Sequence, residues 1–174
     1  MFTIDDIKAY KAPRWDSLPD IDLYMDQVLV VLEKHLSVFK RDKEEKIITA
    51  AMINNYVKQK ITLPPVNKKY TRHHLAYLFT VCVLKNIMGL SDICTGIGMI
   101  MNGRHTAEAF DMFCESLDGA LAQAFFGEPS KECKSATNEE KLLSAVTAAV
   151  ANTLYCHYLV AEMQGKGTEA GDGK

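Results

Sequence analysis

Apolar residues recur at helical spacing along most of this chain, and the pattern predicts a mainly α-helical protein. Between positions 20 and 39 they fall at i, i+3, i+4 and i+7, which places them on one buried stripe of a helix. That stripe consists of Ile21, Met25, Val28, Leu29, Leu32, Leu36 and Phe39. The same reasoning predicts further helices over residues 3–11, 49–59, 71–88, 91–101, 105–126 and 137–163.

Capping residues set the expected limits of these helices. Side-chain oxygens that can accept a hydrogen bond from a first-turn N–H stand before the apolar patterns. The predicted N-caps are Thr3, Asp20, Thr49, Thr71, Ser91 and either Thr137 or Asn138. Gly89 is expected to end the helix from Thr71 with a positive φ, and Gly127 is expected to end the helix predicted over residues 105–126.

Residues 63–70 (LPPVNKKY) break the helical pattern. Two prolines favour extended backbone and Asn67 favours a turn, so the segment predicts a short β-hairpin or ribbon. Two helices, a ribbon and a third helix are the layout of a winged helix-turn-helix. The predicted fold is therefore mainly α, with a winged helix-turn-helix whose wing lies near 63–70 and with a C-terminal helical extension.

Three parts are expected along the chain. Residues 1–102 hold an N-terminal arm and the winged module, and residues 103–163 hold a C-terminal helical pair that serves as core or as a dimer interface. The tail, 164–174, contains four glycines and few apolar residues, and it is predicted to be disordered.

The composition predicts a soluble, intracellular protein. Forty-eight per cent of the 174 residues are hydrophobic and 24 per cent are charged, which is ordinary for a globular domain. The N-terminal residues lack a secretory pattern, and no stretch approaches the ~20 uninterrupted apolar residues of a membrane span. The five cysteines are scattered without metal-like spacing and are predicted to be free thiols, so the protein is expected in the cytoplasm and away from membranes.

Charge is distributed unevenly along the chain. Seven Lys or Arg residues and no Asp or Glu lie between Lys46 and Ser91, although the formal net charge is −2. Lys and Arg neutralise phosphates and release counterions, so this segment is suited to a polyanion. A solvated face that happens to be basic remains the alternative explanation.

The residues of the basic segment fit double-stranded DNA as the polyanion. On the helix from Thr49, apolar positions face inward, while the opposite face shows Asn54, Asn55 and Lys58, with Thr62 near it. Asn can bond adenine bidentately, and Lys contacts phosphate or guanine. The predicted DNA-binding residues are Thr49, Ala51, Asn54, Asn55, Lys58, Lys60, Lys68, Lys69, Tyr70 and Arg72.

Two families resemble this chain. Ten positions approximately fit the DNA-binding domain of MerR-type regulators: Tyr56, Ile61, Pro64, Tyr70, Thr71, Leu75, Gly89, Leu90, Ser91 and Ile93. The blocks WDSLPDIDLYMDQV, MINNYVKQ and KKYTRHHLAYL are similar, more closely, to an uncharacterised bacterial family named domain of unknown function 1836. That second resemblance covers about residues 10–160 and implies no activity.

The chain departs from the MerR-type pattern at the reading helix. Asn54-Asn55 stand where Arg-Tyr is common, and Lys60 stands where Gly is usual. A bacterial transcriptional regulator is the first hypothesis. The second is a helical protein–protein interaction module derived from a DNA-binding fold, and either could sense a small molecule through the C-terminal helices.

The remaining signals predict no enzyme and no bound cofactor or metal. His105, Glu108, Asp111 and Glu115 recur on one side of a helix, and Asp118 extends that side. A solvated acidic stripe is favoured there over a metal site because no second helix supplies matching ligands. The apolar last helix could form a dimer interface, an effector pocket or plain core. Dimerisation is preferred, since two-fold symmetry suits paired DNA half-sites.

Overall fold

A computed structural model describes residues 2–40, 44–129 and 137–169 of the chain. Over these ranges the protein is mainly α-helical, as predicted. The helices are α1 (Ile4–Ala9), α2 (Met25–Leu36), α3 (Ala50–Lys58), α4 (Arg72–Leu84), α5 (Leu90–Met101), α6 (Thr106–Phe126) and α7 (Asn138–Glu169), with 3₁₀ turns at Trp15–Ser17 and Ser37–Phe39.

Several predicted helix ends are confirmed. Thr3 Oγ1 accepts from the Asp6 N–H at 3.2 Å, Thr49 Oγ1 from Met52 at 3.2 Å, and Thr137 Oγ1 from Glu140 at 3.2 Å. Gly127 ends α6 with φ 68°, a left-handed conformation that glycine adopts without a Cβ clash. These termini were predictable because a cap is a local interaction.

The start of α2 was predicted wrongly. Asp20 is not its N-cap, because the helix begins at Met25 after Tyr24. Leu23 instead exchanges two backbone hydrogen bonds with Tyr70, at 2.9 and 2.8 Å, which requires extended backbone before the helix. Ile21, placed on the buried stripe, is consequently 68% exposed.

The junction of α4 and α5 also differs from the prediction. Helix α4 ends at Leu84, four residues early, and the N–H groups of Ile87 and Met88 both bond the Leu84 carbonyl. Gly89 has φ −68° and is the N-cap of α5, so it does not adopt the predicted positive φ. Ser91 accordingly lies within α5 and does not cap it.

Residues 63–70 form a tight turn, and no strand occurs in the ranges that the structure describes. Val66 and Lys69 exchange both backbone hydrogen bonds, at 3.0 and 2.9 Å. Between them Asn67 and Lys68 have φ values of 50° and 64°, the signature of a type I′ hairpin turn. The expected ribbon is thus reduced to a two-residue hairpin, followed by the Leu23–Tyr70 bridge.

The N-terminal arm is fixed to α6 by two aspartates that were assigned to a solvated stripe. Asp118 accepts from the Ala12 N–H at 2.8 Å and pairs with the Arg14 guanidinium at 2.7 Å, while Asp111 accepts from the Trp15 N–H at 2.7 Å. Ala12 is 3% exposed. These carboxylates therefore satisfy donors of the arm, and the solvated interpretation of that stripe is wrong for both.

A common hydrophobic core joins the N-terminal and C-terminal helices. It runs from Ile7 to Leu154 and includes most of the side chains of α4. Phe79 of α4 packs against Phe110 and Phe113 of α6 at ring-centroid distances of 5.9 and 6.5 Å. The helix expected to read DNA therefore rests on the same core as the C-terminal pair.

Helix α7 extends further than predicted, through Glu169 and into the segment expected to be disordered; residues 170–174 lie outside the described ranges. Among the residues described, Asn138–Gly165 is the single helix long and apolar enough to cross a membrane, with a mean hydropathy of 1.2. Core helices of soluble proteins pass the same test, and this helix contributes Leu143, Val150 and Leu154 to the core. It is weak evidence for a membrane span.

Candidate nucleic-acid interface

Helix α3 presents a polar face opposite a buried one. Ile53 and Tyr56 are 0% and 5% exposed and hold the helix against the core. Ala51, Asn54, Asn55 and Lys58 are exposed on the other side, as predicted. Asn55 Oδ1 accepts from Gln59 Nε2 at 3.3 Å within the exposed face. This contact does not use the N–H₂ group of Asn55.

The chain reverses direction after α3 in a turn at Lys60. Lys60 has φ 58°, and the Ile61 N–H returns to the Tyr56 carbonyl at 2.8 Å. The Lys60 side chain is exposed. Thr62, expected near the polar face, is instead 7% exposed and belongs to the interior.

The hairpin at 66–69 carries two more lysines. Lys68 is exposed, and Lys69 lies with its ammonium 5.4 Å from the centre of the Tyr24 ring, a cation–π distance. Tyr70, predicted to contact DNA, is 3% exposed. Its ring is core and cannot contact DNA in this conformation, so its contribution to the surface is the backbone pairing with Leu23.

Arg72 is engaged within the molecule. Its guanidinium lies 3.1 Å from Asp20 and 3.7 Å from Asp16, and 5.5 Å from the centre of the Trp15 ring. The side chain is only 16% exposed. The predicted phosphate contact by Arg72 is thus in competition with two carboxylates that are distant in sequence and close in space.

The five remaining lysines of the segment are called the basic surface here: Lys46, Lys58, Lys60 and Lys68, which are exposed, and Lys69, which is half-buried. Within the described parts of the chain none of these lysines is in an ion pair. Lys85 does not join them, because its ammonium donates to the Ile47 carbonyl. Of the seven cations in the basic segment, Arg72 and Lys85 are thus bound within the molecule.

His74 fixes the start of α4 beside the hairpin. Its Nδ1 accepts from the Thr71 backbone N–H at 3.0 Å, as a glutamate or glutamine commonly does at this position. Burial lowers the pKa of His74, and His73 acts in the same direction, while the Pro64 and Leu63 carbonyls and Asp22 oppose it. With Nδ1 accepting and only 7% of the residue exposed, the ring acts as a cap of α4 and is not a surface contact for phosphate.

No metal or thiol chemistry is apparent in the described ranges. They contain no group of three His, Cys, Asp or Glu residues placed to hold a metal ion. Cys82, Cys94, Cys114 and Cys156 are free, and burial raises the pKa of Cys82 to about 12 and that of Cys114 as well. Cys133 lies outside the described residues.

These features define a mainly helical protein with an exposed basic helix and hairpin supported by a shared core. Residues 13–115 match the family model described as Domain of unknown function (DUF1836), which is more than half of the chain. The chain belongs to that family. The match ends within α6, short of the expected limit near residue 160, and no curated protein or solved structure matches the chain.

Proposed function

We propose that this protein binds double-stranded DNA through α3 and the 66–69 hairpin, as a transcriptional regulator with a MerR-like winged helix-turn-helix. The observation that carries the proposal is the basic surface itself. Its lysines lie just before α3, on α3 beside exposed Asn54 and Asn55, in the turn after α3 and on the hairpin, and they have no ion-pair partner among the described residues. Helices of this kind enter the major groove, and hairpins of this kind follow the DNA backbone.

Backbone pairing supports the same arrangement. The Leu23–Tyr70 bridge ties the hairpin to the residues directly before α2, and α2 packs against α3, which links the hairpin to the proposed reading helix. A fixed relation between a reading helix and its hairpin favours simultaneous contact with a groove and the flanking phosphates.

Backbone strain supports a use for the lysine charges. Lys60 and Lys68 both adopt left-handed conformations, with φ 58° and 64°, where glycine is the least costly residue. A long side chain costs on the order of 1 kcal/mol there. Two exposed lysines at such positions favour a function for the ammonium groups over a face that is basic by chance.

Fluorescence anisotropy with labelled genomic duplexes tests the proposal. Affinity is expected to fall steeply between low and physiological salt, since each neutralised phosphate adds about 0.9 to the slope of log K against log salt. The double substitution Lys58→Ala and Lys68→Ala should weaken binding to all duplexes and reduce that slope. Lys141→Ala, at an exposed lysine of α7, is the matched control. Salt-independent binding, or equal loss in the control, would contradict the proposal.

The alternative is a protein–protein interaction module, and one observation favours it. Arg72 already binds Asp16 and Asp20, so carboxylates can neutralise this part of the molecule. On that hypothesis the basic surface meets an acidic protein. Retention of a protein partner at a salt concentration that abolishes DNA binding would support it over the first.

We further propose that the DNA-binding form is a homodimer. Leu159, Val160 and Met163 near the end of α7 are 40%, 53% and 74% exposed, and a shared helix would cover them. Sedimentation equilibrium is expected to give twice the monomer mass. A monomer at micromolar concentration would contradict the dimer without affecting the DNA proposal.

A further inference from the structure

A large cavity lies directly beneath the turn that follows α3. Its volume is about 540 Å³, within the range of sites for drug-sized molecules. The turn 60–63 forms one wall, and α4, α5, α6 and α7 form the others. The cavity therefore joins the basic surface to the C-terminal helices.

The cavity is lined mainly by apolar side chains. Its lining includes Ile93, Ile97 and Ile100 of α5, Phe110 and Phe113 of α6, and Leu142, Leu143 and Val146 of α7. Three of the hydroxyls that line it also have partners, since Tyr77 donates to Cys94 Sγ at 3.4 Å, Thr80 to the Ala76 carbonyl at 3.0 Å and Thr95 to the Ser91 carbonyl at 3.0 Å. A ligand body that matches this lining is apolar.

Few charged or titratable side chains line the cavity. Lys60 lines it from the turn, and His73 lines it from the first turn of α4. Asp92, in the first turn of α5, is the one carboxylate in the lining. Lys60 is exposed and has no ion-pair partner among the described residues, so its ammonium is available to an anion.

We propose that this cavity is a binding site for a small amphiphilic organic anion. The apolar body occupies the space between α4, α5, α6 and α7, and the anionic head group pairs with Lys60 at the turn. The left-handed backbone of Lys60 supports this assignment, because a glycine would close the same turn at lower cost but could bind no head group. The site goes beyond DNA binding and does not depend on it.

Two glycines of α5 provide matched variants. Gly96 lines the cavity, and a Cβ added there would meet Leu142 Cδ2 at 3.8 Å, an ordinary contact. Gly98, in the same helix, has nothing within 4 Å of an added Cβ. Gly96→Leu should therefore place a side chain inside the cavity and obstruct it, while Gly98→Leu adds the same side chain outside it.

Isothermal titration with octanoate, in the absence of DNA, tests the site. Octanoate is expected to bind, 1-octanol and octylamine to bind more weakly, and Gly96→Leu to abolish binding that Gly98→Leu retains. Lys60→Met keeps a long unbranched side chain at the same left-handed backbone position and removes only the charge. It should weaken the affinity for octanoate on the order of fivefold and leave the affinity for 1-octanol unchanged.

Three results would overturn the proposal. They are no octanoate binding up to about 1 mM, equal affinity for octanoate and octylamine, and unaltered binding in folded Gly96→Leu. Circular dichroism checks the fold of each variant, and exposed Lys60→Met remains decisive if Gly96→Leu does not fold. Because DNA is absent, failure here leaves the DNA proposal standing, and loss of DNA binding leaves this one standing.

Discussion

Lys68 occupies the second central position of a type I′ turn, where glycine is preferred. Its φ of 64° is sterically unfavourable for a residue with a Cβ, so Lys68→Gly should raise the free energy of unfolding by about 1 kcal/mol. The same change removes an exposed charge, so it should weaken DNA binding uniformly across sequences and lower the salt slope by about one unit. Urea denaturation and anisotropy measure the two effects on one sample.

Lys68→Met is the control for that experiment. It keeps the left-handed strain and removes only the charge, so stability should stay unchanged while DNA binding falls as in Lys68→Gly. If Lys68→Gly instead strengthened DNA binding along with stability, the lysine would have no role in holding phosphate.

His74 makes stability depend on pH. Its folded pKa is lowered, chiefly by burial, from the ordinary value of 6.5, so the unfolded chain binds more protons near that pH. The His74 contribution is complete above about pH 6.5 and is lost as the pH falls through the folded pKa. His74→Gln retains an N3 side chain that can accept from Thr71, and should flatten the decline in unfolding free energy between pH 7 and 5.

The matched variant for the pH experiment is His35→Gln. The pKa of His35 is also lowered, by burial first and by Lys34 second, so it adds to the decline in the same direction. His35 caps no helix through its ring in the described contacts, and its replacement should leave the His74 part of the profile intact. An unaltered profile in His74→Gln would exclude this role for His74.

At the scale of elements, α6 holds the N-terminal arm by carboxylates. Asp118→Ala would leave the buried Ala12 N–H and the Arg14 guanidinium without their acceptor. Leaving a buried donor unsatisfied costs about 1–3 kcal/mol, so urea denaturation should show a loss in that range. Glu108→Ala, at an exposed position of the same helix, should change stability by much less.

The elements also show which features of this fold are predictable from sequence. Helices α3 and α6 were located nearly to the residue because Thr49 and Gly127 act through neighbours in the chain. Asp20 failed as a cap because Tyr70, fifty positions away, holds Leu23 in an extended conformation. Local patterns contain no information about that pairing.

The candidate site divides along the same line. The exposed face of α3 follows from helical periodicity, so Asn54, Asn55 and Lys58 were correctly placed on the surface. Arg72 and Tyr70 were wrongly placed on the surface. Arg72 pairs with Asp16 and Asp20, and Tyr70 bonds the backbone of Leu23, all in the connector before α2. The sequence offered a pocket only as one of three uses of the apolar last helix, and it could not place the cavity because the walls come from five separate segments.

At the scale of the whole molecule, Lys60 belongs both to the basic surface and to the cavity wall. A head group paired with Lys60 would withhold one charge from phosphate, and binding free energies couple reciprocally. Saturating octanoate is therefore expected to weaken DNA binding severalfold and to lower the salt slope by about one unit, with DNA weakening octanoate by the same factor. Lys60→Met should bind DNA with the reduced slope from the start and respond little to octanoate. This prediction rests on both proposals, and equal octanoate affinity with and without saturating DNA would show that the two sites are independent.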